Sequence, residues 1–70
     1  MKLRRIVARN LRQFRQAKGL SQEELAHRAG INRNYVGKLE SERHGATVDM
    51  LEKLATALEI EPAMFFNTGT

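Results

Sequence analysis

Ser21-Gln22-Glu23-Glu24-Leu25-Ala26-His27-Arg28-Ala29-Gly30-Ile31-Asn32-Arg33-Asn34-Tyr35-Val36-Gly37-Lys38-Leu39-Glu40 contains two helix starts with one helix stop between them. Ser21 and Glu24 have the spacing of a capping box, in which the serine hydroxyl accepts from the Glu24 N–H and the glutamate carboxylate accepts from the Ser21 N–H. Leu25, Ala26 and Ala29 then fall on one inward face, and Gly30 stands where a left-handed residue closes a helix. Asn32 is a good N-cap for a further helix holding Arg33 to Glu40. Two short helices joined by about three residues that include a glycine form a helix-turn-helix, here over about residues 21–40.

At about 100° per residue, Arg33, Gly37, Asn34 and Lys38 follow one another around a continuous polar arc. Tyr35, Leu39, Val36 and Glu40 occupy the opposite side, so this helix docks by one face and offers the other. Arginine can bond guanine O6 and N7 bidentately, asparagine can do the same to adenine N6 and N7, and lysine reaches guanine acceptors or phosphate. Arg33, Asn34 and Lys38 are therefore the candidate base-contacting residues. Glycine inside a helix costs about 1 kcal/mol relative to alanine, which suggests that something approaches the backbone closely at Gly37.

Outward from this core, Leu3, Val7, Leu11 and Phe14 recur at spacings of four and three, predicting a helix from about Leu3 to Ala17 that stops at Gly19. Beyond the polar loop Ser41 to Ala46, Thr47 caps a fourth helix, Val48 to Leu58, whose apolar stripe is Val48, Leu51, Leu54, Ala55 and Leu58. Pro62 suits the first position of a short fifth helix reaching Phe66, and the polar tail 67–70 should fray. The expected architecture is all-α, with compact packing of five helices and residues 1–70 acting as one domain.

Seventy residues without cysteine exclude a disulfide framework or a thiolate metal site, so helix packing must carry the fold. No apolar run approaches the roughly 18 residues of a membrane span, and a cytoplasmic, nucleoid-associated location is expected. The net charge of +4 is unevenly spread: residues 1–44 carry +7 and residues 45–70 carry −3. A basic region of this kind attracts a polyanion through counterion release.

Leu11, Phe14 and Arg15, the run Lys18-Gly19-Leu20-Ser21-Gln22-Glu23-Glu24-Leu25-Ala26, Ala29-Gly30, Tyr35-Val36, Leu39-Glu40, and the series Leu51, Leu54-Ala55, Ala57-Leu58 resemble the lambda-repressor/Cro (XRE) family of helix-turn-helix regulators. The resemblance implies a five-helix DNA-binding domain whose third helix lies in the major groove, and a homodimer covering two half-sites of a pseudo-palindromic double-stranded operator about 34 Å apart. It places Arg33, Asn34 and Lys38 at base-reading positions. Gln22, Tyr35, Arg43 and His44 fall at backbone-contacting positions, and Arg15 and Glu40 form a structural ion pair. Restriction-modification controller proteins and phage-type repressors are similar in size and ending. The chain departs from the family pattern at Glu42, where many relatives carry glycine, and at Glu61, where they carry a capping serine or aspartate. Gly45 is then expected to take over the turn of that loop, with the third helix running a residue or two longer.

Met64, Phe65 and Phe66 give the C-terminal segment more apolar surface than one short helix buries, and are the candidate dimerisation residues. One phenylalanine is expected to complete the core and the other to meet a partner. His27 and His44 have neither metal-site spacing nor neighbouring acids and nucleophiles, so no enzyme, metal, cofactor or small-molecule ligand is expected. The competing function is a protein-interaction module of the same fold, such as an antitoxin or adaptor.

Overall fold

The computed structural model describes residues 2–68. Four α-helices follow one another, α1 (Leu3–Ala17), α2 (Gln22–Ala29), α3 (Arg33–Glu40) and α4 (Val48–Leu58), and a 3₁₀ helix (Pro62–Phe66) completes the order. Of the tail expected to fray, Gly69 and Thr70 lie outside the described residues.

The start signals act as read. Ser21 Oγ accepts from the Glu24 N–H at 3.0 Å while the Glu24 carboxylate accepts from the Ser21 N–H at 2.8 Å. Those bonds hold the Glu24 carboxyl below the usual glutamate range. Asn32 caps α3 through Asn34 N–H (2.7 Å), and Thr47 caps α4 through Met50 N–H (3.1 Å).

All four helices close in one way. The N–H of Leu20, Ile31, Arg43 and Ile60 reaches back to the carbonyl of Arg15, Ala26, Lys38 and Ala55, at 3.1, 2.9, 2.9 and 3.0 Å. In each case the residue before the donor has positive φ: Gly19 (70°), Gly30 (70°), Glu42 (66°) and Glu59 (59°). This 6→1 bond satisfies end carbonyls, and only the left-handed residue lets the chain fold back to make it. Glycine adopts that conformation freely, whereas a residue with a Cβ bears roughly 1–2 kcal/mol. The loop after α3 thus differs from expectation. Glu42 itself makes the turn, α3 stops at Glu40, and Gly45 is absent from the positive-φ residues. Gly45 is small for a different reason: a Cβ there would stand 3.2 Å from Arg4 Nε.

Inside, Phe65, Leu11, Leu25, Leu54, Leu58 and Val36 are fully buried, joined by Val7, Leu20, Leu39 and Leu51. The Phe65 ring meets Phe14 edge-on with centroids 6.3 Å apart. Val48, counted in the α4 stripe, is instead 82% exposed. As the first residue of its helix, its side chain leans back beyond the packed layer.

The fifth element is a 3₁₀ helix, not an α-helix, leaving four α-helices. Its bonds span three residues, Met64 N–H to Glu61 carbonyl at 2.9 Å and Asn67 N–H to Met64 carbonyl at 3.3 Å. Five residues offer few places for i→i+4 bonds, and two of the carbonyls at its end are taken by α1. Asn10 Nδ2 donates to both Phe65 and Asn67 carbonyls at 2.7 Å. Glu61 makes no side-chain capping bond there.

Candidate nucleic-acid interface

The Asn32 cap fixes where α3 begins, so Arg33 and Asn34 occupy its first turn and Gly37 and Lys38 its second. Val36 and Leu39 are buried beneath them, and this anchors the rotation of the helix. The outward arc, with Gln22 from the start of α2 and Ser41 and Arg43 from beyond α3, lines an open bay of about 360 Å³. Arg33, Lys38 and Arg43 bring three cations to it, and among the described residues no carboxylate lines it. Arg33 Nη1 lies 3.7 Å from Glu23 Oε2, a pair exposed on both sides and so of little energetic weight. The fold therefore leaves the arginine free to engage a ligand.

Beneath the bay sits a buried carboxylate. Glu40 is 4% exposed. Its two oxygens accept from Arg15 Nε at 2.7 Å and Arg15 Nη2 at 3.0 Å, a bidentate pair tying α1 to the end of α3. Gln22 Nε2 donates to the same carboxylate at 3.1 Å, and Arg12 Nε lies 3.6 Å away. Arg15 also donates to the Leu20 carbonyl at 2.8 Å, and Arg12 to the Glu40 carbonyl at 3.2 Å. Burial pushes the Glu40 carboxyl up, but the hydrogen bonds from Arg15 and Gln22 and the charges of Arg15 and Arg12 outweigh it. The carboxyl titrates below the usual glutamate range. The Glu40 hydrogen bond raises the Arg15 guanidinium in turn.

Arg33, Asn34, Lys38, Gln22 and Arg43 are thus brought together. Tyr35 and His44 are not. The Tyr35 hydroxyl turns away and donates to the Gly45 carbonyl at 3.3 Å. His44 borders a second, apolar hollow of about 210 Å³, whose lining includes Leu3, Val7, Val48 and Phe66. Of the C-terminal candidates, Phe65 has no exposed surface and is withdrawn from any partner-facing set, whereas Met64 (40%) and Phe66 (44%) remain exposed. Ser41, Arg12 and Asn10 are not among the site residues expected from sequence. Ser41 and Arg12 carried a signal in their place beside α3 and in the basic charge of α1, but only the fold reveals that Asn10 meets the C-terminal turn.

Among the described residues, no group of three or more His, Asp or Glu could hold a metal ion, and no helix is long and apolar enough to cross a membrane.

The helix-turn-helix family HTH_3 matches residues 11–65. A hypothetical transcription factor of Neisseria meningitidis is 45% identical over 83% of this chain, which spans 55% of that protein's length. Control protein C.SmaI of Serratia marcescens is 40% identical over 83% of this chain and 69% of its own. The crystal structure of the restriction-modification controller protein C.AhdI from Aeromonas hydrophila superposes with a TM-score of 0.87 at 44% identity, covering 90% of this chain and 96% of that one. With its capped α2, its left-handed turn at Gly30 and its outward-facing α3, this chain belongs to the HTH_3 helix-turn-helix family.

Proposed function

We propose that the protein is a sequence-specific DNA-binding regulator of transcription, working as a homodimer on a pseudo-palindromic operator with α3 in the major groove. The observation that carries this reading is the bay itself: Arg33, Asn34 and Lys38 converge on the outer face of a helix whose inner face is buried, with no carboxylate among them. Arg33 and Asn34 read base edges and Lys38 a guanine or phosphate. Arg43, at the edge of the bay, pairs with phosphate. A good bidentate contact discriminates between bases by roughly 1–3 kcal/mol. The likeness to restriction-modification controller proteins supports a role in controlling such genes. For the dimer, Met64 and Phe66 supply the exposed apolar surface.

The test is selection from a random duplex pool at about 150 mM salt, which suppresses purely electrostatic binding. A palindromic pair of half-sites one helical turn apart is the expected product. No enrichment would shift the assignment to a protein partner. Sedimentation at high micromolar concentration that gives only the 8.0 kDa monomer, with and without DNA, would remove the dimer.

A further inference from the structure

Gln22 stands between the buried carboxylate and the open bay. A carboxylate can only accept, and an amide offers donors on nitrogen and an acceptor on oxygen. With Nε2 on Glu40 Oε1 at 3.1 Å, the amide has one permitted polarity. Turning it over would face oxygen against oxygen beside a group that is 4% exposed. Glu40 itself cannot swing aside, because Arg15 grips both of its oxygens.

The amide oxygen is consequently committed to the opposite side. It lies over Gly37, 3.5 Å from where a Cβ on that residue would stand, and it accepts no hydrogen bond among the described residues. Among the described residues outside α3's own backbone, nothing else comes within 4 Å of the Gly37 Cβ position, so the missing side chain leaves the oxygen uncovered in the same arc as Asn34 and Lys38.

From this the geometry points to Gln22 as a base-reading acceptor that takes a hydrogen bond from an exocyclic amine in the major groove, cytosine N4 or adenine N6, with Glu40 as its positioning residue. A phosphate oxygen, being another acceptor, is the wrong partner for that oxygen and can be met only by the second Nε2 hydrogen, so the assignment departs from the backbone-contacting role that the family resemblance implies for Gln22. This assignment rests on the DNA-binding reading above and refines what one side of the bay recognises.

The experiment uses the full chain and the operator recovered by selection. Gln22→Leu should lose about fivefold of its preference at one position of each half-site, keep the others, and leave the salt dependence unchanged. Replacing the amine-bearing base there by its analogue lacking the amine, purine for adenine or 2-pyrimidinone for cytosine, should weaken the parent protein about fivefold and the Gln22→Leu protein no further. Glu40→Gln, checked for helix content by circular dichroism, should loosen preference at that position alone. If it does not fold, the exposed Gln22→Leu site still decides the matter. An even loss of affinity over all sequences with a salt slope lower by about one would mark a phosphate contact and overturn the inference. Equal sensitivity of both proteins to the missing amine would overturn it too. A parent protein that selects no sequence takes down the DNA-binding reading itself, a different result from either of these.

Discussion

The two faces of α3 are put to opposite uses. Val36, Leu39 and Glu40 on the inner face are buried, and every polar atom of the Glu40 carboxylate has a donor. Among the described residues, the side chains of Arg33, Asn34 and Lys38 on the outer face bond nothing beyond one loose surface pair. The inner face is given over to packing and paired charge, and the outer face is left almost free of internal bonds. A helix of eight residues can do both because the hundred-degree step separates the two sets cleanly.

The sharpest way to break that division is Glu40→Ala, which leaves the partly buried Arg15 without its carboxylate partner and should cost about 3 kcal/mol in urea melts. Joint replacement of Arg15 and Glu40 by methionine should cost far less, since the desolvation of both charges is relieved. A loss below 1 kcal/mol in Glu40→Ala would mean that the pair does not hold the inner face. Leu39→Ala, also on the inner face, should lose about 2–5 kcal/mol through a cavity.

On the outer face, Asn34→Ala should change stability by no more than about 0.5 kcal/mol while binding to the selected operator falls by about 1–3 kcal/mol, measured by titration. A stability loss comparable to that of Leu39→Ala would erase the distinction. Arg43→Ala should weaken all duplexes alike and lower the salt slope by about one.

Acid offers a gentler probe of the inner face. Since the folded Glu40 carboxyl titrates below the 4.5 of a free glutamate, its contribution is fully present above that value and is lost as pH falls through the depressed folded value. Urea melts from neutrality downward should show this decline, and the Arg15→Met/Glu40→Met chain should lack that share of it. The smallest effect concerns the helix ends: Glu42→Gly should gain about 1 kcal/mol, since the ion pair it would lose, with Arg5 Nε at 3.8 Å, is exposed on both sides. Glu59→Gly should gain less, because Glu59 pairs with Lys18, which holds its carboxyl below the usual range.

How much the sequence disclosed follows from which signals are local. Capping boxes, N-cap residues and Gly30 act within a few residues, so all four α-helices and the polar arc of α3 were legible without coordinates. Glu42 was not, because glutamate carries no preference for the left-handed region and only the closure of α3 imposes it. Helical spacing put Val48 in the stripe, but spacing does not tell where the neighbouring layer ends. Composition left two adjacent phenylalanines equivalent, and only packing against Phe14 decided that Phe65 goes in and Phe66 stays out. The polarity of Gln22 depends on a carboxylate eighteen residues away and had no sequence signal at all.

The bonds from Asn10 to the carbonyls of Phe65 and Asn67 span 55 and 57 residues. At about 5–20 residues per second, a ribosome makes Asn10 roughly 3–11 seconds before Phe65. For that interval the apolar face of α1, centred on Leu11, has no Phe65 to cover it. The opposite face of the helix carries the exposed Arg5, Arg9 and Arg12, charges of the kind that favour solvation of an unfinished apolar segment.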